Sequence, residues 1–315
     1  MSQYDSEEAP PLVVLCGPTG SGKTGLAVRL SQYWPVEVVS ADSRQVYRGM
    51  DIGTAKATAE EQRLVRHHLI DIVDPDDDFS VADFIEQARV AINEIAQRGH
   101  RPLVVGGTGL YLRGLTQGLI DAPQADPVIR QRLHAQAEQQ GRMALWQCLQ
   151  QVDPVAAAAI HPNNIVRVVR ALEVFELTGE PISSLQQRHG FSQRPYPSLK
   201  LGICPPREVL FERIVQRVDA MVDDGLFDEV EQLLARGLSP SGNALRTLGY
   251  REVVDCLAGK VNRDEAVEQI KTHTRQYAKR QLTWFRKDPE IIWVDSLREF
   301  ATIHELIDKF YSDVH

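Results

Sequence analysis

Short continuous apolar runs alternate with amphipathic stretches through the first 120 residues. The run Leu12 to Cys16 (LVVLC) precedes a glycine-rich turn, then Leu26, Ala27 and Leu30 share one face at helical spacing. VEVVSAD predicts a second strand ending at Asp42, and HHLIDIVDP a third, short one. RPLVVGGTG predicts a buried strand running into a glycine turn. Between the last two, SVADFIEQARVAINEIAQRG keeps the helical period, with Ser80 and Asp83 spaced as a capping box and Gly99 as the stop. Strand and helix alternating in this way predict a parallel sheet flanked by helices.

The pattern changes at about Asp121. As far as Pro197 the segments are helical and none reads as a strand. NIVRVVRALEVFELTG predicts a helix that starts after Asn163 or Asn164 and stops at Gly179, and GFSQRPYPS reads as a linker. Strand character returns at LKLGIC, Leu199 to Cys204. A long helix then places Leu210, Ile214, Val218 and Met221 on one side, with Arg213 and Arg217 four residues apart beside them. The expected organisation is a core over residues 1–120 (1–11 a loose tail), a helical insertion over 121–197, and completion of the core over 198–315 with a basic C-terminal helix.

Composition narrows the class without fixing the function. The chain has 315 residues, 43% hydrophobic and 25% charged, ordinary values for a globular protein. No apolar run approaches the roughly 20 residues that span a bilayer. The acidic start MSQYDSEEAPP lacks the apolar stretch of a signal peptide. Cys16, Cys148, Cys204 and Cys256 are scattered, as reduced, mostly buried thiols of a cytoplasmic protein would be. A net charge of −8 argues against non-specific nucleic-acid binding but leaves room for a local basic face. Lys271 to Lys287 carries six Lys or Arg and no acid, with Lys271, Arg275, Lys279 and Arg286 at helical spacing and Tyr277, Trp284 and Phe285 interleaved. This is either a nucleic-acid face or a solvated helix with its aromatics in the core.

GPTGSGKT supplies the strongest chemical signal. Gly17, Pro18, Thr19, Gly20, Ser21, Gly22, Lys23 and Thr24 fit the phosphate loop, whose backbone N–H groups cradle phosphates while the lysine reaches a terminal one. Thr24 is expected on Mg²⁺. The fold class expected is therefore α/β, a P-loop NTPase-like parallel sheet flanked by helices, with a helical insertion domain. A nucleotide hydrolase would want an acid at the end of a later strand. Leu103 to Val105 ends instead in Gly106-Gly107-Thr108-Gly109, which favours group transfer. Asp42 falls on the ligand-binding rim of such a sheet, where a carboxylate serves as metal ligand, general base or cap of the next turn. His67 and His68 look like a metal pair, but neighbours on a strand face opposite ways, so packing is the expected role.

GPTGSGKT, SADSRQVYRGMDIGTAK, HHLIDI, VGGTGLYLRGL, HPNNIVRVVRALEVF, RTLGYRE and TRQYAKRQLTWFR occur in this order and spacing. From about Leu12 to Trp293 the chain closely resembles the bacterial tRNA dimethylallyltransferase, or tRNA isopentenyltransferase, family. Only the phosphate loop is widely shared elsewhere. The resemblance implies transfer of a dimethylallyl group from dimethylallyl diphosphate to N6 of the adenosine just 3′ of the tRNA anticodon. The loop then holds the diphosphate that leaves, with Lys23, Thr24, Arg213 and Arg217 stabilising it, Arg217 more than Arg213. Asp42 matches the family's catalytic carboxylate. Thr19, Ser21 and Thr108 are expected to line the cleft that receives a flipped adenosine. By similarity, tRNA contacts are implied for Asp42, Ser43, Arg44, Gln45, Thr108 and Arg130, and for Val166, Arg167, Val168, Val169 and Arg170. They are implied as well for Arg246, Thr247, Leu248, Gly249, Tyr250 and Arg251. A monomer acting in the cytoplasm, away from membranes, is expected. Three rivals remain: an adenylate isopentenyltransferase using free nucleotides, a nucleotide or nucleoside kinase, and a nucleotide-gated RNA-binding switch.

Overall fold

The computed structural model describes residues 9–295 and 298–314. Residues 1–8, most of the expected loose tail, lie outside the described residues. Strands β1 (Leu12–Cys16), β2 (Val36–Ser40), β3 (His67–His68), β4 (Arg101–Gly106), β5 (Ser198–Ile203) and β6 (Ile291–Val294) form one parallel sheet. Their spatial order is β3-β2-β4-β1-β5-β6. Helices α1 (Lys23–Leu30), α2 (Ala59–Leu64), α3 (Val81–Gln97) and α4 (Gly109–Gln117) alternate with the first four strands. Then come α5 (Pro127–Gln140), α6 (Arg142–Val152), α7 (Pro154–Ala159), α8 (Ile165–Thr178) and α9 (Ile182–His189). Between β5 and β6 lie α10 (Arg207–Asp223), α11 (Leu226–Ala235), α12 (Tyr250–Leu257) and α13 (Arg263–Phe285), and α14 (Phe300–Asp313) follows β6.

Every residue of β1 and β2 is buried, which is why these strands read as continuous rather than alternating apolar runs: both sheet faces are covered. Leu26, Ala27 and Leu30 of α1 and Ile303, Ile307 and Tyr311 of α14 pack on the central strands. A second core joins α10–α13 to Val46, Tyr47 and Met50. From β1 the chain passes to β2 on one side of it, and from β4 it crosses to β5 on the other. That change of direction opens a crevice beyond the strand ends.

Three expectations differ in detail. β2 stops at Ser40, so Asp42 stands two residues beyond it. The third strand shrinks to His67–His68 because Leu69 and Asp71 adopt φ of 63° and 55°, left-handed values that end pairing, and Val73 meets Tyr47 only in an isolated bridge. Of the cysteines only Cys16 is fully buried, and all four are free thiols. His67 and His68 pack, as expected: His67 Nδ1 lies 2.8 Å from the Val65 carbonyl, and His68 Nε2 lies 2.6 Å from Glu37 Oε2.

The chain forms two compact units, one of residues up to Thr116 together with those from Arg194 on, the other Gln117–Gln193. No described helix is long and apolar enough to cross a membrane. The Gln117–Gln193 unit has its own core, including Leu133, Leu145, Leu149, Val168 and Val174. Within it Glu173 is fully buried, accepting from Arg130 Nε at 2.8 Å, Arg170 Nη1 at 2.6 Å and the Asp126 N–H at 2.8 Å. Burial pushes this carboxyl's pKa up, but the two guanidiniums outweigh that and hold it below the usual range.

A similar hub sits under the sheet. Glu37 of β2 is 4% exposed and accepts from Arg98 Nη2 at 2.8 Å and from His68 and His100. Burial alone would raise its pKa, yet the Arg98 and His68 contacts lower it from 4.5 to about 2. Because the folded-state pKa is depressed, the stabilisation is complete above pH 4.5 and is lost as pH falls toward 2. Glu37→Gln is expected to cost about 2–3 kcal/mol at neutral pH. It should also flatten the acid limb of stability. Urea midpoints measured from pH 7 to pH 3 check both, and parallel curves for wild type and variant would refute them.

Candidate active site

The phosphate loop joins β1 to α1. Gly17 has φ 145°, and a Cβ there would sit 2.3 Å from the Ile203 carbonyl oxygen of β5, so no side chain fits. Gly22 caps α1 in the left-handed conformation, which turns the following N–H groups toward the loop's concave side. Lys23 Nζ donates to the carbonyls of Gly17 at 3.0 Å and Pro18 at 2.8 Å. Burial, then the like charge of Arg217, pushes its pKa down to about 8, while Asp42 pulls the other way. Burial also lowers the pKa of Arg217, again against the pull of Asp42. Lys23, Arg217 and Asp42 thus share one electrostatic field. Arg217 Nη2 donates to the Thr54 carbonyl at 3.4 Å. Arg213, one turn earlier on α10, is half-buried and forms no ion pair among the described residues.

Asp42 begins the loop after β2. Its Oδ1 accepts the Arg44 N–H at 2.8 Å and, less closely, the Gln45 N–H at 3.4 Å, so the carboxylate does cap the next turn. Oδ2 has no hydrogen-bond partner among the described residues. The Ser43 N–H donates to Thr108 Oγ1 at 3.0 Å, and the Thr108 N–H to the Ala41 carbonyl at 3.2 Å. Gln45 Nε2 donates to the Thr54 and Ala55 carbonyls at 3.3 and 3.2 Å. Arg44 Nη1 donates to the Asn243 carbonyl at 3.3 Å. Asp42 and Thr108 therefore stand on the loops after β2 and β4, and Lys23 and Thr24 open α1 just past the phosphate loop, all beyond the same rim of the sheet.

The other residues singled out from the sequence divide by exposure. Val166 and Arg167 face outward on α8, whereas Val168 and Val169 are core residues. Arg130 and Arg170 are occupied with Glu173. Between residues 246 and 251, Arg246 and Arg251 are exposed, Leu248 is half-buried and Gly249 is buried. Thr247 is also buried, and Tyr250, 0% exposed, donates its hydroxyl to Glu229 at 2.6 Å. The basic run of α13 is partly neutralised: Lys271 pairs with Asp219 at 2.8 Å and Glu268 at 3.0 Å, acids outside the run itself. Lys279 and Arg280 remain exposed and Phe285 is core.

Gln281 of α13 is the residue that sequence reasoning missed. It is buried, its Oε1 accepts the Thr19 N–H at 2.9 Å, and its Nε2 donates to the Gly107 carbonyl at 2.9 Å. The available signal was an amide interrupting the stripe of Ala266, Ile270, Ala278 and Phe285.

A phosphate loop at the switch point of a parallel sheet, with Lys23 of α1 and Arg217 of α10 as its cations and a carboxylate on the loop after β2, defines a P-loop α/β protein built for chemistry on a phosphorylated ligand. The chain belongs to the IPP transferase family, the tRNA dimethylallyltransferases. The IPP transferase family model matches residues 45–288, and an isopentenyl transferase model matches residues 10–76. tRNA dimethylallyltransferase 1 of Syntrophotalea carbinolica is 53% identical, over 97% of this chain and 97% of its own. The tRNA dimethylallyltransferase of Geobacter metallireducens is also 53% identical, over 97% and 99%. Among solved structures, the full-length tRNA isopentenylpyrophosphate transferase of Bacillus halodurans superposes with a TM-score of 0.72 at 44% identity, covering 96% of this chain and 97% of that one. A eukaryotic dimethylallyltransferase, described as acting on tRNA, gives a TM-score of 0.81 at 28% identity, covering 97% of this chain and 80% of that one. The P-loop-like fold, the family and the prenyltransferase class expected from the sequence are borne out.

Proposed function

We propose that this chain transfers the dimethylallyl group of dimethylallyl diphosphate to N6 of the adenosine 3′ of a tRNA anticodon. The observation that carries the reading is the meeting of the phosphate loop and the Asp42 loop at one rim, both bonded to the turn after β4: Gln281 links the Thr19 N–H to the Gly107 carbonyl, and Thr108 Oγ1 accepts the Ser43 N–H. The phosphate loop's N–H groups, Lys23, Arg217 and Arg213 hold the diphosphate, and a flipped adenine enters beside Asp42. The N6 lone pair forms the C–N bond as the allylic C–O bond breaks, its electron pair passing to the leaving diphosphate. The N6 proton passes to Asp42 through Oδ2, while Oδ1 stays committed to the turn.

Thr24 would hold Mg²⁺. It stands half-exposed in the first turn of α1, and its hydroxyl makes no hydrogen bond among the described residues. Those residues form no cluster of three His, Cys, Asp or Glu, so the remaining ligands would be donor oxygens and water, a set that suits Mg²⁺. When bound, the ion offsets charge on the departing diphosphate.

Incubation with labelled dimethylallyl diphosphate, labelled ATP, unmodified tRNA and AMP tests the proposal. Prenyl label appearing on tRNA supports it. Prenyl label on AMP, or phosphate label on any acceptor, overturns it.

Within the helical unit, Arg167 is proposed to meet a tRNA phosphate, because its guanidinium is exposed and has no ion-pair partner among the described residues. Arg167→Ala should weaken tRNA binding and lower the slope of log K against log salt by about 1. Arg170→Ala should instead destabilise the unit, by roughly 1–3 kcal/mol, since Glu173 loses one of its two cations. Filter binding over a salt series, paired with melting curves, separates the two; an unchanged salt slope for Arg167→Ala would remove that contact.

A further inference from the structure

The donor loop follows β1 and the Asp42 loop follows β2, but these strands are not neighbours: β4 lies between them. No strand pairing therefore fixes the spacing between the two loops once the chain passes the end of the sheet. Hydrogen bonds to the turn after β4 do it instead, in two steps. From the β2 side, the Thr108 N–H donates to the Ala41 carbonyl and Thr108 Oγ1 accepts the Ser43 N–H, joining the Asp42 loop to the turn after β4. From the β1 side, Gln281 accepts from the Thr19 N–H and donates to the Gly107 carbonyl, joining the phosphate loop to that same turn.

We infer that Gln281 is a positioning residue that sets the distance between the bound diphosphate and Asp42. The inference rests on the prenyl-transfer reading above. Gln281 suits this task because one planar amide supplies both a donor and an acceptor, and here both are used at 2.9 Å with the side chain buried. The amide is also held from outside. A Cβ on Gly107 would lie 2.3 Å from Gln281 Nε2, so a side chain there would push the amide aside. One residue earlier, a Cβ on Gly106 would lie 2.1 Å from the Ala41 carbonyl oxygen, so the turn packs as tightly against the Asp42 side. The glycines of VGGTG thus let the β4 turn sit wedged between the two reacting loops. The Thr19 N–H, committed to Gln281, is not available to a phosphate, so the amide fixes where the loop stands relative to the β4 turn rather than contributing to its anion-binding concavity.

A spacing element leaves a specific kinetic mark. Donor contacts lie on the phosphate loop and α10, and base contacts lie on the Asp42 loop, so each half-site keeps its own geometry when the pin is removed. What changes is their separation, and a misplacement near 1 Å costs about 10²-fold in rate. Gln281→Met keeps the side chain's length and removes both hydrogen bonds. Its single-turnover rate of tRNA prenylation is expected to fall by roughly 10- to 100-fold, with donor and tRNA affinities within about threefold of wild type. Gly107→Ala, which displaces the amide from the other side, should show the same split. The double variant should be no slower than the worse single one, because both break one connection. Melting curves accompany each assay, and if one variant does not fold, the other carries the test. Wild-type turnover in a folded variant overturns the inference, as does a loss of donor affinity that matches the loss of rate. A wild-type enzyme that prenylates no tRNA fails the functional reading instead, which keeps the two failures apart.

Discussion

The Asp42→Asn enzyme is expected to bind dimethylallyl diphosphate normally and to prenylate tRNA roughly 10² to 10⁴ times more slowly, the usual contribution of a general base. The structure makes this a clean substitution. Oδ1 of Asp42 caps the turn by accepting the Arg44 N–H, and an asparagine carbonyl oxygen can accept the same bond. The turn therefore persists, and what is lost is a negative charge and the capacity to take a proton at the second oxygen. The acceptor amine needs that capacity, because its lone pair is delocalised into adenine and its nitrogen acquires positive charge as the C–N bond forms. The alternatives predict other results. A metal ligand would show a raised Mg²⁺ requirement with rescue at excess Mg²⁺. A residue that only caps would leave both stability and turnover near wild type, because asparagine caps as well. Single-turnover assays across a Mg²⁺ titration, with a melting curve, separate the three, and near-wild-type turnover at ordinary Mg²⁺ would rule out the base.

Lys23→Ala is expected to lose both donor affinity and turnover, by roughly 10²-fold in kcat/KM for a charge-assisted contact worth about 1.5–3 kcal/mol. The pH dependence adds a second signature. Burial and the neighbouring Arg217 lower the Lys23 pKa to about 8, so the ammonium is progressively neutral above that pH in the free enzyme. The diphosphate favours the charged form. Donor affinity of the wild type should therefore weaken as pH rises through 8, and binding in that range should take up a proton. Calorimetry in buffers of different ionisation enthalpy measures that uptake directly. The alanine variant should show neither the uptake nor the weakening; a pH profile identical to wild type would assign the effect to another group.

How legible all this was from the sequence depends on the range of the interactions involved. Helix α3 announces itself because Ser80, Asp83 and Gly99 lie within or beside it, and α8 because Gly179 ends it. The phosphate loop is equally local, eight consecutive residues whose chemistry needs no distant partner. The 117–193 bounds of the helical unit lie close to the 121–197 read from the change of pattern. By contrast β6 was not anticipated: IIWV is a four-residue run, and only its pairing with β5 makes it a strand. The ionic hubs at Glu37 and Glu173 were invisible for the same reason. Glu37 sits within an apolar run, and its partners Arg98 and His100 are 61 and 63 residues away. The pairing of Arg130, implied by similarity as a tRNA contact, was hidden because Glu173 lies 43 residues further along, whereas the same acid stands only three residues from Arg170. Gln281 is the extreme case, with partners 262 and 174 residues off.

The order of strands has a consequence for how the chain is made. β1 has two neighbours, β4 and β5, and β5 begins only at Ser198, beyond the whole of the Gln117–Gln193 unit. During synthesis at about 5–20 residues per second, one side of β1 waits roughly 4 to 20 s after β4 emerges before its partner strand exists. Through that interval a strand of five buried residues presents an unpaired row of N–H and C=O groups. The helical unit, whose core is its own, is complete while the sheet that precedes it in the chain is still open. The N-terminal half is thus held hostage to the C-terminal half, and a chaperone that shields nascent strands would act between the appearance of Gly106 and that of Ile203.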